Sequence, residues 1–295
     1  MSSIDVQEPS PVVPAFPVKF AFWEWVLRYC PPSNALVRIH SFKLLLLAIA
    51  LSVFARADLA AAPFDRAHPR FARVLSNFVA NARVDYARLK EAPGDLDAYL
   101  TEVADVKPDE FSKWSKPERL ALLLNLYNAQ TLRLIIDHYP VASIRSIGVL
   151  PGAAWRQLIV RFGGQVMSLE HLEHEIIRAE YGEPRIHFAL VCAARSCPPL
   201  RPEPFVAARL SEQLDDQARL FLATKEKNRF DTVENVLWLS AIFDWYKGDF
   251  TKSGGTLESF VKPFLPEESA AALGRATKVK VRFTDYDWAL NDAAR

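Results

Sequence analysis

The chain has 295 residues, with 36 basic and 35 acidic side chains and a formal net charge of +1. That balance leaves no electrostatic footprint for nucleic acid. Half of the residues are hydrophobic and 12% are aromatic, which supports a packed core and excludes a disordered chain. Three cysteines are too few for a disulfide scaffold.

The first element in chain order is the apolar run 44–54, flanked by Arg38, His40 and Lys43 and followed by Ala60-Ala61-Ala62 before Pro63. A basic flank, a short apolar stretch and small residues at its end describe a secretory signal segment over 44–62. The run is shorter than the roughly 20 residues a membrane span requires. The expectation is a leader over 1–62, a periplasmic or secreted mature chain, and no stable membrane span in it. The alternative is a cytoplasmic protein in which 44–54 is an ordinary buried helix. Residues 1–40 form a Pro-rich stretch ahead of the signal-like segment, an unusual position for one. Cys30 lies in this leader, which leaves Cys192 and Cys197 as a pair.

No repeat or Gly/Ser linker interrupts the rest, so 63–295 reads as one globular domain. Phe71, Val74, Leu75 and Phe78 have helical spacing within 64–80. A short helix is expected over 96–103. Ser115-Lys116-Pro117-Glu118 then offers an N-cap serine, a proline just inside and an acid in the first turn. The helix it starts runs to His138 ahead of Pro140. It is apolar on nearly every side, which marks it as the central buried helix.

Residues 158–162 and 165–167 around Gly163-Gly164 predict a β-hairpin. Ser168 caps a helix through Arg178. The apolar run from His187 to Cys192 predicts a buried strand, and 204–224 a long amphipathic helix. A second hairpin is expected over 229–231 and 236–239, then helices near 242–246, 257–263 and 267–273, and a last strand over 279–283. The fold class is α+β: a helix-rich single domain around a small, mostly antiparallel sheet.

The chemistry concentrates at His187, Cys192 and Cys197, which lie within eleven residues. The set fits a Cys/His nucleophilic site, a Cys192–Cys197 disulfide, or half of a metal site. On a strand, residues 187 and 192 point to opposite faces. Cys197 is then the thiol that a folded-back loop brings to His187. In Glu170, His171, Glu173, His174 and Glu175 the two histidines are three apart, not the four of the zinc-protease pattern. That helix face reads as solvated, except Glu173, which lies beside the apolar stripe and is placed to orient His187 directly or through one water. Asn125, Tyr127 and Asn128 interrupt the most apolar helix, so they bond backbone or line a cavity. Asp244-Trp245-Tyr246 and Asp285-Tyr286-Asp287-Trp288 place carboxylates beside aromatics, as at a pocket wall or a surface cap.

Asn125-Leu126-Tyr127-Asn128-Ala129, Gly163-Gly164, Ser168, Leu172-Glu173, His187-Phe188-Ala189-Leu190, Cys192 and Ser196-Cys197-Pro198-Pro199-Leu200 together resemble the bacterial, often exported branch of the domain-of-unknown-function family DUF547. Order and spacing agree over about 115–224. The resemblance implies a shared site built on His187, Glu173 and the Asn pair, with Cys197 optional. It implies no substrate.

Two functions stay open. One is a Cys/His-type hydrolase or transferase acting on an amide or peptide-like bond, with His187, Glu173 and Cys197 as catalytic candidates. Asn125, Tyr127, Asn128 and Asp244 are its binding candidates. The other is a non-catalytic cell-envelope module held by the disulfide. The expected ligand is a small or peptide-like molecule. No glycine-rich phosphate loop or complete metal spacing calls for a cofactor or metal. Export predicts a mature chain starting near Pro63, checked by fractionation and N-terminal sequencing; full-length protein retained in the cytoplasm would refute it.

Overall fold

The computed structural model describes residues 63–252 and 254–294. The leader and its signal-like segment lie outside the described residues. The helix-rich α+β architecture grows around one long helix. After α1 (Pro69–Phe78), α2 (Tyr86–Glu91) and α3 (Gly94–Ala104), the chain enters α4 (Lys116–His138). The start of α4 is a full capping box. The Ser115 hydroxyl accepts the Glu118 amide, and the Glu118 carboxylate accepts the Ser115 amide at 2.8 Å. Most of α4 is buried, in line with its all-round apolar sequence.

Strands β1 (Val160–Phe162) and β2 (Gln165–Met167) pair antiparallel with Phe162 opposite Gln165. Gly163 (φ +60°) and Gly164 (φ +76°) both take the left-handed backbone of a type I′ turn, which a side chain would disfavour. Helix α5 follows as a continuous run over 169–181, capped by Ser168, whose hydroxyl accepts the His171 amide at 3.0 Å. Its middle, Leu172–Arg178, is π-helical. Wider turns of this kind shift the facing of successive side chains and concentrate at functional sites.

Next come the 3₁₀ turn Pro184–Phe188, α6 (Leu210–Leu222), β3 (Arg229–Asp231) and β4 (Val236–Ser240). Helices α7 (Ile242–Trp245), α8 (Lys247–Thr251), α9 (Leu257–Val261) and α10 (Glu267–Arg275) lead to β5 (Lys280–Thr284). Among the described residues the strands make three separate sheets: a pair at Val79–Ala80 and Arg83–Val84, the β1–β2 hairpin, and the order β3-β4-β5. The β4–β5 pairing is parallel and the others are antiparallel. The single small sheet expected from the sequence is therefore dispersed, with the centre held by α4.

The strand expected over 187–192 does not form. Pro184 and the Glu183 side chain, which accepts the Arg185 amide, start a 3₁₀ turn, and an irregular buried segment follows it. A short apolar run does not distinguish a strand from other buried segments. Its backbone is satisfied by side chains instead of a neighbouring strand. Asn128 Nδ2 donates to the Ala189 carbonyl (2.9 Å), and the Val191 amide donates to Asn128 Oδ1 (3.0 Å). Gln217 Nε2 donates to the Phe188 carbonyl at 2.9 Å. Asn125 makes the same two-way clasp on both backbone groups of Phe205.

The segment also bridges two cores. Ile186 and Leu190 belong to the larger one, around α4, whereas Phe188 packs with α6, β4 and α7–α9. Asn128→Ala would leave a buried carbonyl and a buried amide without partners. It should cost about 3 kcal/mol, at one to three per orphaned group, measured by urea unfolding.

Candidate functional site

A cavity of about 320 Å³ opens where α4, α5, the 184–197 segment and α7 meet the C-terminal tail. Its walls include Glu170, Glu173, His187, Cys192 and Cys197 and a set of aromatic rings, Tyr127, Trp155, Trp245, Tyr246, Tyr286 and Trp288.

His187 is almost fully buried. Its Nε2 lies 2.7 Å from Asp249 Oδ2. A carboxylate only accepts, so Nε2 carries a proton, and in the neutral ring the lone pair is on Nδ1. Nδ1 has no partner among the described residues. The ring is stacked on Tyr246, with centroids 3.9 Å apart and planes 20° from parallel. Asp249 also receives Arg178 Nε (2.8 Å) and Nη2 (3.1 Å). The His187 hydrogen bond, opposed by burial and joined by Arg178, holds the Asp249 carboxyl well below the usual carboxylate range. Arg178 Nη1 reaches His174 Nδ1 at 2.9 Å, and its guanidinium lies 4.9 Å from the Tyr246 ring centre.

Glu173 is buried, as its place beside the apolar stripe suggested. It does not meet His187 through a direct bond. Its Oε1 accepts the Tyr246 hydroxyl at 2.8 Å. Burial and then Glu173 push the phenols of Tyr246 and Tyr127 far up, so both stay protonated donors. The pairing expected between Glu173 and His187 is thus replaced by an indirect one. Glu173 fixes Tyr246, Tyr246 stacks on His187, and Asp249 is the carboxylate that bonds the imidazole.

The two thiols touch, with Sγ atoms 2.6 Å apart, and both are free. The Cys192 amide donates to Cys197 Sγ at 2.8 Å. The Tyr286 hydroxyl lies 3.1 Å from Cys192 Sγ. These contacts split the pair. The hydrogen bond to Cys197, then burial, pushes the Cys192 thiol well up. Burial would also raise Cys197, but hydrogen bonds from Cys192, Tyr286 and backbone amides outweigh it and lower its pKa.

The loop between the cysteines is held by the tail. Ala193 has φ +58°, a left-handed backbone costing roughly 1–2 kcal/mol in a non-glycine residue. The Asn291 amide donates to its carbonyl, the Arg195 amide donates to Ala289, and Ser196 exchanges hydrogen bonds with Asp287.

Residues 111–222 match the family described as "Protein of unknown function, DUF547". Over these residues the chain is similar to that family. Comparison with curated proteins and with solved structures found no match. The matched segment supplies Tyr127, Glu173, His187 and both cysteines. Asp249, Tyr246, Tyr286, Trp245 and Trp288 come from beyond its end.

Of the residues picked out in the sequence, His187, Glu173, Cys197, Cys192 and Tyr127 converge on the cavity. Asn125 and Asn128 do not line it; both amides are spent on backbone. Asp244 is exposed and outside the lining, although its neighbours Trp245 and Tyr246 are in it. A short helical turn sends successive side chains in different directions, so the carboxylate turns out where the aromatics turn in. The sequence reading missed Asp249 and Arg178. The spacing of Tyr246 and Asp249, three apart across a helical turn, was the available signal. Among the described residues no group of three His, Cys, Asp or Glu side chains is arranged to hold a metal, and no helix is long and apolar enough to cross a membrane.

Asp249 contributes stability above its unfolded pKa, and this is lost as pH falls toward its lower folded pKa. Asp249→Asn should therefore be less stable than wild type at neutral pH. It should also lose stability less steeply below roughly pH 4. Urea unfolding at a series of pH values checks both.

Proposed function

We propose that the cavity is the active site of a thiol-dependent hydrolase or acyl transferase acting on an amide or peptide-like bond. One observation carries this reading: the lower-pKa sulfur of Cys197 and an imidazole oriented by Asp249 line the same cavity. Cys197 would give its proton to His187 Nδ1 and add to the carbonyl carbon. The imidazolium would hand that proton to the leaving nitrogen as the C–N bond breaks. Water, deprotonated by the same imidazole, would then release the acyl group from sulfur. Asp249 holds the ring and stabilises its charged form, as the third member of a nucleophile–base–carboxylate set does. Glu173 is a positioning residue acting through Tyr246. The signal-like segment 44–62 supports an exported location.

A second reading rests on the contact between the two sulfurs. In an oxidising compartment that pair closes to a disulfide, and the cavity becomes a binding site without a nucleophile.

Iodoacetamide alkylation followed by peptide mass mapping separates the two. In reduced protein Cys197 should react about ten-fold faster than Cys192, with a pH midpoint below the ordinary thiol value of about 8.5. Cys192→Ala should raise that midpoint by removing a donor to Cys197. Preferential reaction at Cys192, or no reaction at either after reduction, would sink the nucleophile. Two thiols that appear only after reduction of protein purified from the envelope would favour the disulfide module.

A further inference from the structure

The cavity's lining contains two carboxylates, Glu170 and Glu173, and no lysine or arginine. Glu173 is buried and accepts the hydroxyl of Tyr246. Glu170 is exposed and makes no ion pair among the described residues. Of the guanidiniums around the cavity, Arg178 is committed to Asp249 by two hydrogen bonds, Arg156 donates to the Pro151 carbonyl beside Gly152, and Arg145 lies over Trp288. Lys227 is turned to the Cys197 carbonyl at 2.8 Å.

The remaining wall is aromatic. Trp245 stacks on Trp288 with centroids 5.8 Å apart at 19°, and Tyr286 lies 4.8 Å from the first and 4.6 Å from the second. Trp155 meets Trp288 edge-on at 6.0 Å. Trp245 is 48% exposed, a large cost for an indole with no partner on its outer part. These rings already attract cations from the protein's side: Arg145 lies 5.1 Å from the centre of Trp288, and Arg178 4.9 Å from that of Tyr246.

Indole and phenol faces carry negative potential and favour a weakly hydrated organic cation over a neutral group of the same shape. Unpaired carboxylates beside them add to that preference. We infer that the cavity selects a ligand bearing an ammonium or other organic cation, seated on the exposed Trp245 beside Glu170. The inference deepens the proposed function, resting on the reading of this cavity as the substrate site. The substrate is then an amide or peptide-like compound whose cationic group lies on the aromatic wall while its carbonyl faces Cys197.

The test uses choline and its neutral isostere 3,3-dimethylbutan-1-ol. Each is titrated into the protein with tryptophan fluorescence and calorimetry as readouts, in wild type and in Cys197→Ser. Choline should bind saturably in both, about ten-fold or more tighter than the isostere. Glu170→Gln should weaken choline about five-fold and leave the isostere unchanged. Trp245→Ala should lose choline binding while keeping the wild-type far-UV spectrum and unfolding midpoint. Equal affinity for the two probes, or no choline binding in wild type, would overturn the inference. A reactive Cys197 without cation preference removes the inference and leaves the thiol chemistry. Cation preference with an inert Cys197 does the reverse.

Discussion

The two-way hydrogen bond between Asn128 and the backbone of Ala189 and Val191 is the constraint on which the site depends. The segment 184–197 runs through the interior without a strand partner, and buried backbone groups need one. An amide side chain presents a donor and an acceptor side by side, as a peptide group does. A helix can thereby replace a missing sheet neighbour at one point. Asn125 does the same for Phe205, two residues before the 3₁₀ turn that leads into α6. Both asparagines sit on α4, the most rigidly buried element, so its position is passed directly to His187 and the cysteines.

The cavity lies at the seam where the two cores meet. Phe188 is anchored in one and Ile186 in the other, with His187 between them. Neither core alone could shape the imidazole's surroundings. Asp249 reaches it from α8, Tyr246 covers its ring just before α8 begins, and Glu173 holds Tyr246 from α5. The tail closes the arrangement by strapping the loop between the cysteines, which keeps Ala193 in its left-handed conformation.

Charge is arranged in layers around this seam. Arg178 and Asp249 pair behind the imidazole, so the ring is oriented by a carboxylate whose own charge is partly compensated. The Tyr246 phenol donates to Glu173. The two sulfurs share one hydrogen-bonding neighbourhood, but Cys197 accepts from the Cys192 thiol and amide, whereas Cys192 gives its hydrogen bond to Cys197. That asymmetry makes Cys197 the more acidic thiol and Cys192 the less acidic one.

Local signals in the sequence determined the elements whose causes are local. The Ser115–Glu118 box, the Gly163-Gly164 turn and the Ser168 cap each depend on a few neighbouring residues, and each occurs where the residues place it. All-round apolarity marked α4 as central, and the position of Glu173 beside an apolar stripe marked it as buried. The irregular path of 187–192 was not legible, because its hydrogen bonds come from side chains about sixty residues earlier in the chain and about thirty later. Nor was the partner of His187. Glu173 was singled out by its place beside an apolar stripe on a helix close in sequence, whereas Asp249 is the carboxylate bonded in space, brought there by the packing of α8 on the second core. Sequence proximity ranks candidates by chain distance, but a carboxylate acts over a few ångströms, and only tertiary packing decides which one arrives within that range.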